Sequence, residues 1–315
     1  MKVIVTTAPF GEKNNLPRKL LEEKDIQVSY NEINRKYNRE ELLEVLNKET
    51  PDIIIAGTEK YDKESLNLVN NLKLISRVGI GLDSVDLDEC KKRNILVTYT
   101  PDAPSNAVAE LTVAQMINMF RRIPRIEMGI RYHNWKRYIG REIKNSTIGI
   151  IGVGRIGNLV IRKLQKFDPK NIYINDINEE KTNRNDLVKK SKTYILENSD
   201  IITIHIPLNN HNYNYITKNE LNLMKKNSCI INMSRGGIIN EKDLYEWLKV
   251  NKEASAAIDV YENEPYTGSL LELDNAYLTP HLGSCTEISR YDMEVGAVEE
   301  VLNYLNNKKF NNRVV

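Results

Sequence analysis

A chain of 315 residues is too long for one ordinary hydrophobic core, so two domains are expected. Its 41% hydrophobic and 28% charged residues suit a folded soluble protein, and a formal net charge of only +2 argues against nucleic acid or a membrane surface as the main partner. Three cysteines far apart in sequence (Cys90, Cys229, Cys285) fit reduced thiols in a cytoplasmic enzyme better than a disulfide framework or a zinc site.

The first segment, Met1 to Thr7, is a short strand pattern without the long apolar stretch of a signal peptide. No apolar run approaches the roughly 20 residues that span a bilayer. Val3 to Val5, Ile26 to Val28, Ile53 to Ile55, Leu74 to Ile75 and Ile95 to Val97 read as buried strands. Helical patterns lie between them, at Arg39 to Leu46 and Ser65 to Leu72. Such alternation implies a parallel sheet covered on both faces. Two prolines in Thr100 to Ser105 end this block, and Ser105 would cap a helix from Asn106 to Arg122.

A second series starts at Thr147. Its strands are Ile148 to Ile151, Ile172 to Ile174, Ile201 to Ile206, Cys229 to Met233, Ala256 to Ile258 and Ala276 to Leu278. Helices are expected at Ile156 to Phe167 and Glu241 to Leu248, and again at the end from Ile288 to Leu305. This too is a doubly wound plan. The polar tail Asn306 to Val315 carries no assigned role.

The first strand of the second series runs into Gly152-Val153-Gly154-Arg155-Ile156-Gly157. Gly152 allows a tight turn, Gly154 a close approach to a pyrophosphate, and Gly157 close packing of helix on strand. Free amides at the helix start would face the phosphates. Asp176 closes the next strand, where a carboxylate accepts from ribose hydroxyls and repels a 2′-phosphate. The expected cofactor is therefore NAD.

Chemistry-bearing residues follow later strands, at the carboxyl ends where open α/β sheets bind ligands. Arg235 precedes two glycines and could grip a planar carboxylate bidentately. Glu264 and His281 follow the next two strands. Of the four histidines, His133 and His211 lie in polar segments and His205 ends a buried strand, so His281 is the best acid–base candidate. A carboxylate partner would keep a proton on it for delivery.

These motifs, with Arg77 to Asp83, Asn106 to Leu111, Ser234 to Gly237, Ala257 to Tyr261, Glu264-Pro265 and Pro280 to Gly283, resemble the D-isomer-specific 2-hydroxyacid dehydrogenase family, in particular its phosphoglycerate dehydrogenase branch. The resemblance covers nearly the whole chain. It implies a Rossmann NAD-binding domain (101–284) inserted into a flavodoxin-like substrate domain (1–100 and 285–315), with hinge closure over a cleft. It implies a catalytic trio of Arg235, Glu264 and His281, acting on a D-2-hydroxy acid and its 2-keto partner. Arg155 and Ile156 would meet the pyrophosphate, and Asp259 the nicotinamide. Ile206, Pro207, Met233, Ser234 and Gly283 would line the cofactor. The amides of Val78 and Gly79 would hold the substrate carboxylate, with Ile80 near the nicotinamide. A homodimer through the NAD domain is implied, with the segment Gly129 to Ile143 (Trp135, Tyr138) in the contact.

Phosphoglycerate dehydrogenases often place Arg-Ser after the third strand. Here that place reads Ala56-Gly57-Thr58, which leaves the substrate open: 3-phosphoglycerate, or the glyoxylate and hydroxypyruvate pairs. Formate or phosphite oxidation ranks lower. An NAD(H)-sensing, corepressor-like binding module is the competing class.

Overall fold

Runs of isoleucine and valine become parallel strands buried on both faces. The structure is a computed structural model that describes residues 1–315. Its first elements are β1 (Lys2–Val5), α1 (Leu16–Glu22), β2 (Gln27–Tyr30), α2 (Arg39–Glu49), β3 (Ile53–Ala56), α3 (Lys63–Leu66), β4 (Leu74–Arg77), α4 (Leu87–Lys92) and β5 (Leu96–Tyr99). They form a parallel sheet in the order β2-β1-β3-β4-β5, the flavodoxin-like order. Ile53, Ile54 and Ile55 of β3 are all fully buried, each contributing about 1.5–3 kcal/mol of apolar burial. A capping box begins α2: Asn38 and Glu41 each accept the other's backbone N–H.

The second series comprises α5 (Ser105–Arg121), α6 (Ile123–Arg131), β6 (Thr147–Ile151), α7 (Arg155–Leu164), β7 (Asn171–Asn175), α8 (Glu179–Thr182), β8 (Val188–Lys189), α9 (Lys192–Asn198), β9 (Ile201–Ile204), α10 (Lys218–Leu223), β10 (Cys229–Asn232), α11 (Glu241–Val250), β11 (Ser255–Ile258) and β12 (Ala276–Leu278). Its seven parallel strands run β12-β11-β10-β9-β6-β7-β8, so the order reverses between β6 and β9. That is the Rossmann plan with an added strand, and the reversal makes the crevice where a dinucleotide sits. The last helix, α12 (Glu287–Leu305), packs with β1, β3 and β4.

Two compact units result: Met1–Pro104 with Cys285–Val315, and Ser105–Ser284. The first boundary follows Pro104 rather than Thr100, because Ala103 still packs on the apolar cluster of the first unit. No helix is long and apolar enough to cross a membrane.

Several elements differ from expectation. The helix foreseen at Ser65 to Leu72 starts earlier, capped by Asp62, and ends at Leu66. Its apolar residues Leu66, Val69 and Leu72 are three apart, and successive i to i+3 turns bury them without a helix. The two-residue edge strand β8 is exposed and too short to show alternation. The tail is also structured. Val314 N donates to Val97 O at 2.8 Å, and the buried Glu300 carboxylate accepts from Asn311 N and Asn312 N. This covers the open edge of β5.

Candidate active site

The glycine turn sits between β6 and α7, on the sheet's reversal point. Gly152 has φ +95°, and its amide donates to Asn175 O at 2.8 Å. A side chain there would strike the His205 carbonyl, and one at Gly157 would strike the Gly152 carbonyl. At Gly154 a side chain would meet only open space, the cradle that a pyrophosphate needs. Arg155 and Ile156 form the first turn of α7, whose amides face outward.

Asp176 follows β7 and does more than the sequence suggests. Its Oδ2 accepts from Val153 N at 2.7 Å and its Oδ1 from Asn178 N at 2.8 Å. The carboxylate thus clamps the glycine turn, and each oxygen keeps a lone pair for a ribose hydroxyl. Asn158, missed in the sequence, holds the turn from below by donating to Val153 O and Gly154 O. Asparagine one turn into a helix was the available signal.

Arg235 follows β10. Asn232 ends that strand by accepting from Ser234 N and donating to Arg235 O, both within 3.0 Å. Ser234 Oγ donates to Ile204 O at 2.5 Å, tying the turn to β9. Gly236 lies so close to the Tyr261 carbonyl and Glu262 N that any side chain would collide. This contact presses the Arg235 loop against the loop carrying Glu264.

Glu264 and His281 pair directly: His281 Nδ1 is 2.9 Å from Glu264 Oε2 and 3.1 Å from Oε1. About a third of each side chain is exposed, so the pair is reachable. His281 has φ +53°, a left-handed conformation costing about 1 kcal/mol or more outside glycine. Asp259 enforces it. The Asp259 carbonyl accepts from His281 N at 2.9 Å, and its carboxylate takes Leu282 N (2.7 Å), Gly283 N (2.8 Å) and Thr279 Oγ1 (2.6 Å). Burial pushes the Asp259 carboxyl up, and these hydrogen bonds oppose the shift. Asp259, expected at the nicotinamide, thus also fixes the His281 turn.

The other histidines are elsewhere. His205 packs behind the glycine turn, its Nε2 2.9 Å from Thr203 Oγ1, and desolvation lowers its pKa to about 3. It stays neutral at working pH and is no proton donor. His133 and His211 lie on exposed stretches.

Of the residues expected at the substrate, Val78 N donates to Ala56 O at 2.9 Å and Gly79 N to Thr100 Oγ1 at 2.7 Å. Ile80 beside them is partly exposed. The Met233 side chain is 5% exposed and packs within the core cluster of the second unit. Ile206 is partly exposed and Pro207 exposed, just after β9.

Residues 113–283 match the family model described as "D-isomer specific 2-hydroxyacid dehydrogenase, NAD binding domain". The chain is 34% identical over 307 residues to a D-3-phosphoglycerate dehydrogenase of Methanocaldococcus jannaschii, covering 91% of this chain and 54% of that one. It is 36% identical over 268 residues to a glyoxylate reductase of Thermofilum pendens, covering 81% of this chain and 78% of that one. The chain thus spans about half the length of the phosphoglycerate dehydrogenases it matches. Among solved structures, a D-lactate dehydrogenase of Aquifex aeolicus complexed with NAD and lactic acid superposes with a TM-score of 0.85 at 26% identity, covering 100% of this chain and 99% of that one. The chain belongs to the D-isomer-specific 2-hydroxyacid dehydrogenase family and carries its NAD-binding domain.

Proposed function

We propose that this protein is an NAD-dependent dehydrogenase that interconverts a small D-2-hydroxy acid and its 2-keto acid. The paired His281 and Glu264, on a turn held by Asp259, carry this reading. NADH, bound at the glycine turn and Asp176, would supply the hydride for the keto carbon. Arg235 grips the substrate carboxylate with its planar fork and polarises the carbonyl. His281, oriented through Nδ1 by Glu264, presents Nε2 to the carbonyl oxygen and delivers the proton that the developing alkoxide requires. In oxidation it takes that proton back. Asp176 accepts the ribose hydroxyls and disfavours a 2′-phosphate. One lone pair remains on Asp259 Oδ2 for the nicotinamide amide.

A binding module that only senses NAD(H) would keep the glycine turn but would have no need of a carboxylate-held histidine. Unphosphorylated acids are the favoured substrates. Arg77 is buried and donates to Val78 O, while the Lys60 ammonium lies 3.7 Å from Asp62. Neither replaces an arginine at Ala56-Gly57-Thr58. The test is NADH consumption with glyoxylate, hydroxypyruvate and 3-phosphohydroxypyruvate. The reading expects turnover, fastest with an unphosphorylated acid. A protein that binds NADH and turns over no 2-keto acid would contradict it.

Assembly follows the same reading. Helix α6 has no buried residue, and Tyr132, Trp135 and Ile139 beyond it are 77%, 80% and 96% exposed. An apolar surface of this kind suits a second copy of the chain. Light scattering should report a homodimer; a monomer at micromolar concentration would refute it. None of the cysteines is in a disulfide, which supports a reducing, cytoplasmic setting.

A further inference from the structure

Three loops of the second unit carry Arg235, Glu264 and His281, and one residue touches all three. Tyr261 is 8% exposed. Its amide donates to Glu264 Oε1 at 3.2 Å. Its hydroxyl lies 3.0 Å from both Ile258 O, at the end of β11, and Thr279 O, just before His281. The single proton is shared between the two carbonyls, a three-centre bond. Those carbonyls also accept Thr279 N and His281 N, each at 3.0 Å, so the hydroxyl sits on the junction that sets the His281 turn. The Tyr261 carbonyl is the surface on which Gly236 rests, next to Arg235. The ring is locked by stacking on Tyr266, with centroids 4.3 Å apart and planes 20° apart.

We infer that Tyr261 is a positioning residue for hydride transfer: its hydroxyl fixes the spacing between the loop of Glu264 and the loop of His281. It touches none of the reacting atoms and acts through the pair. The inference rests on the proposed trio. Misplacement of a reacting group by about 1 Å costs up to a hundredfold, and partial loosening correspondingly less.

The experiment compares Tyr261→Phe with His281→Ala and wild type, using NADH and the best 2-keto acid of the panel. Phenylalanine keeps the ring, the stack and the amide, so the fold should survive with Tm lowered by no more than about 4 °C. The expected result is a kcat about tenfold lower with KM for NADH unchanged within about twofold, because the glycine turn and Asp176 lie apart from Tyr261. His281→Ala should lose at least about a hundredfold. If His281→Ala is inactive and Tyr261→Phe has the wild-type kcat, the inference falls alone. If His281→Ala retains the wild-type rate, the trio falls and takes the inference with it. A rise in KM for NADH in step with the fall in kcat would mean general loosening, and would also overturn it.

Discussion

In the first unit the strand ends carry buried polar groups bonded to one another; in the second they carry a glycine cradle and a partly exposed carboxylate–histidine pair. Both units are parallel doubly wound sheets whose strand order reverses once. At the reversal in the first unit, between β1 and β3, lies a buried polar group: Glu59, 2% exposed, 3.4 Å from Thr6 Oγ1 and close to Arg77. The amides after β4 donate to Ala56 and Thr100. At the reversal in the second unit lies the open cradle at Gly154, and the later strand ends carry Arg235 and the exposed pair Glu264–His281. The same plan therefore makes a scaffold in one place and a reactive surface in the other. What differs is which side chains the strand ends carry and how exposed they are.

The largest way to test this contrast is Arg235→Lys. An ammonium keeps the charge but loses the planar fork, so kcat/KM for the keto acid should fall about a hundredfold while NADH affinity stays. A fall of less than about threefold would mean that the carboxylate is held elsewhere. Asp176→Ser removes both the ribose acceptor and the clamp on Val153. KM for NADH should rise about tenfold or more, since hydrogen bonds to a charged group are lost. Activity with NADPH should not reach the wild-type level with NADH, because the turn itself loosens. A clean switch to NADPH would show that the clamp is dispensable.

The smallest expected effect belongs to the first unit. Burial raises the Glu59 pKa, with the Arg77 and Lys36 charges opposing. Its folded pKa exceeds its unfolded one, so the unfolded chain releases this proton first. Stability is therefore lost as pH rises from the ordinary carboxylate range through the raised folded value. Glu59→Gln should raise Tm by a few degrees at pH 8 and leave it unchanged near pH 4. A lower Tm at pH 8 would show that the ionised carboxylate is a net stabiliser there.

Much of this was legible beforehand. Short apolar runs marked nearly every strand, and the glycine turn with Asp176 marked the cofactor surface. Arg235, Glu264 and His281 could be picked out because charged residues just after strands stand apart from their apolar context. Other features were hidden for physical reasons. The fate of the Gly79 amide depends on the Thr100 hydroxyl, 21 residues away. Met233 sits where β10 ends, and apolar type alone does not say whether such a residue turns inward. Tyr261 stood in the sequence only as part of a motif, and only the fold brings its hydroxyl to two carbonyls at the ends of separate strands. The Ser65 to Leu72 stretch shows that a spacing of three suits consecutive turns as well as a helix.

The central claim is that the strand ends of the second unit divide the work, with the glycine turn holding the dinucleotide and His281 moving the proton. The most direct test is His281→Ala, assayed in parallel for NADH affinity by fluorescence and for 2-keto acid reduction. The account predicts an unchanged Kd for NADH and a rate lower by at least about a hundredfold. An unchanged rate, or a loss of NADH binding that accounts for the whole fall in rate, would contradict it.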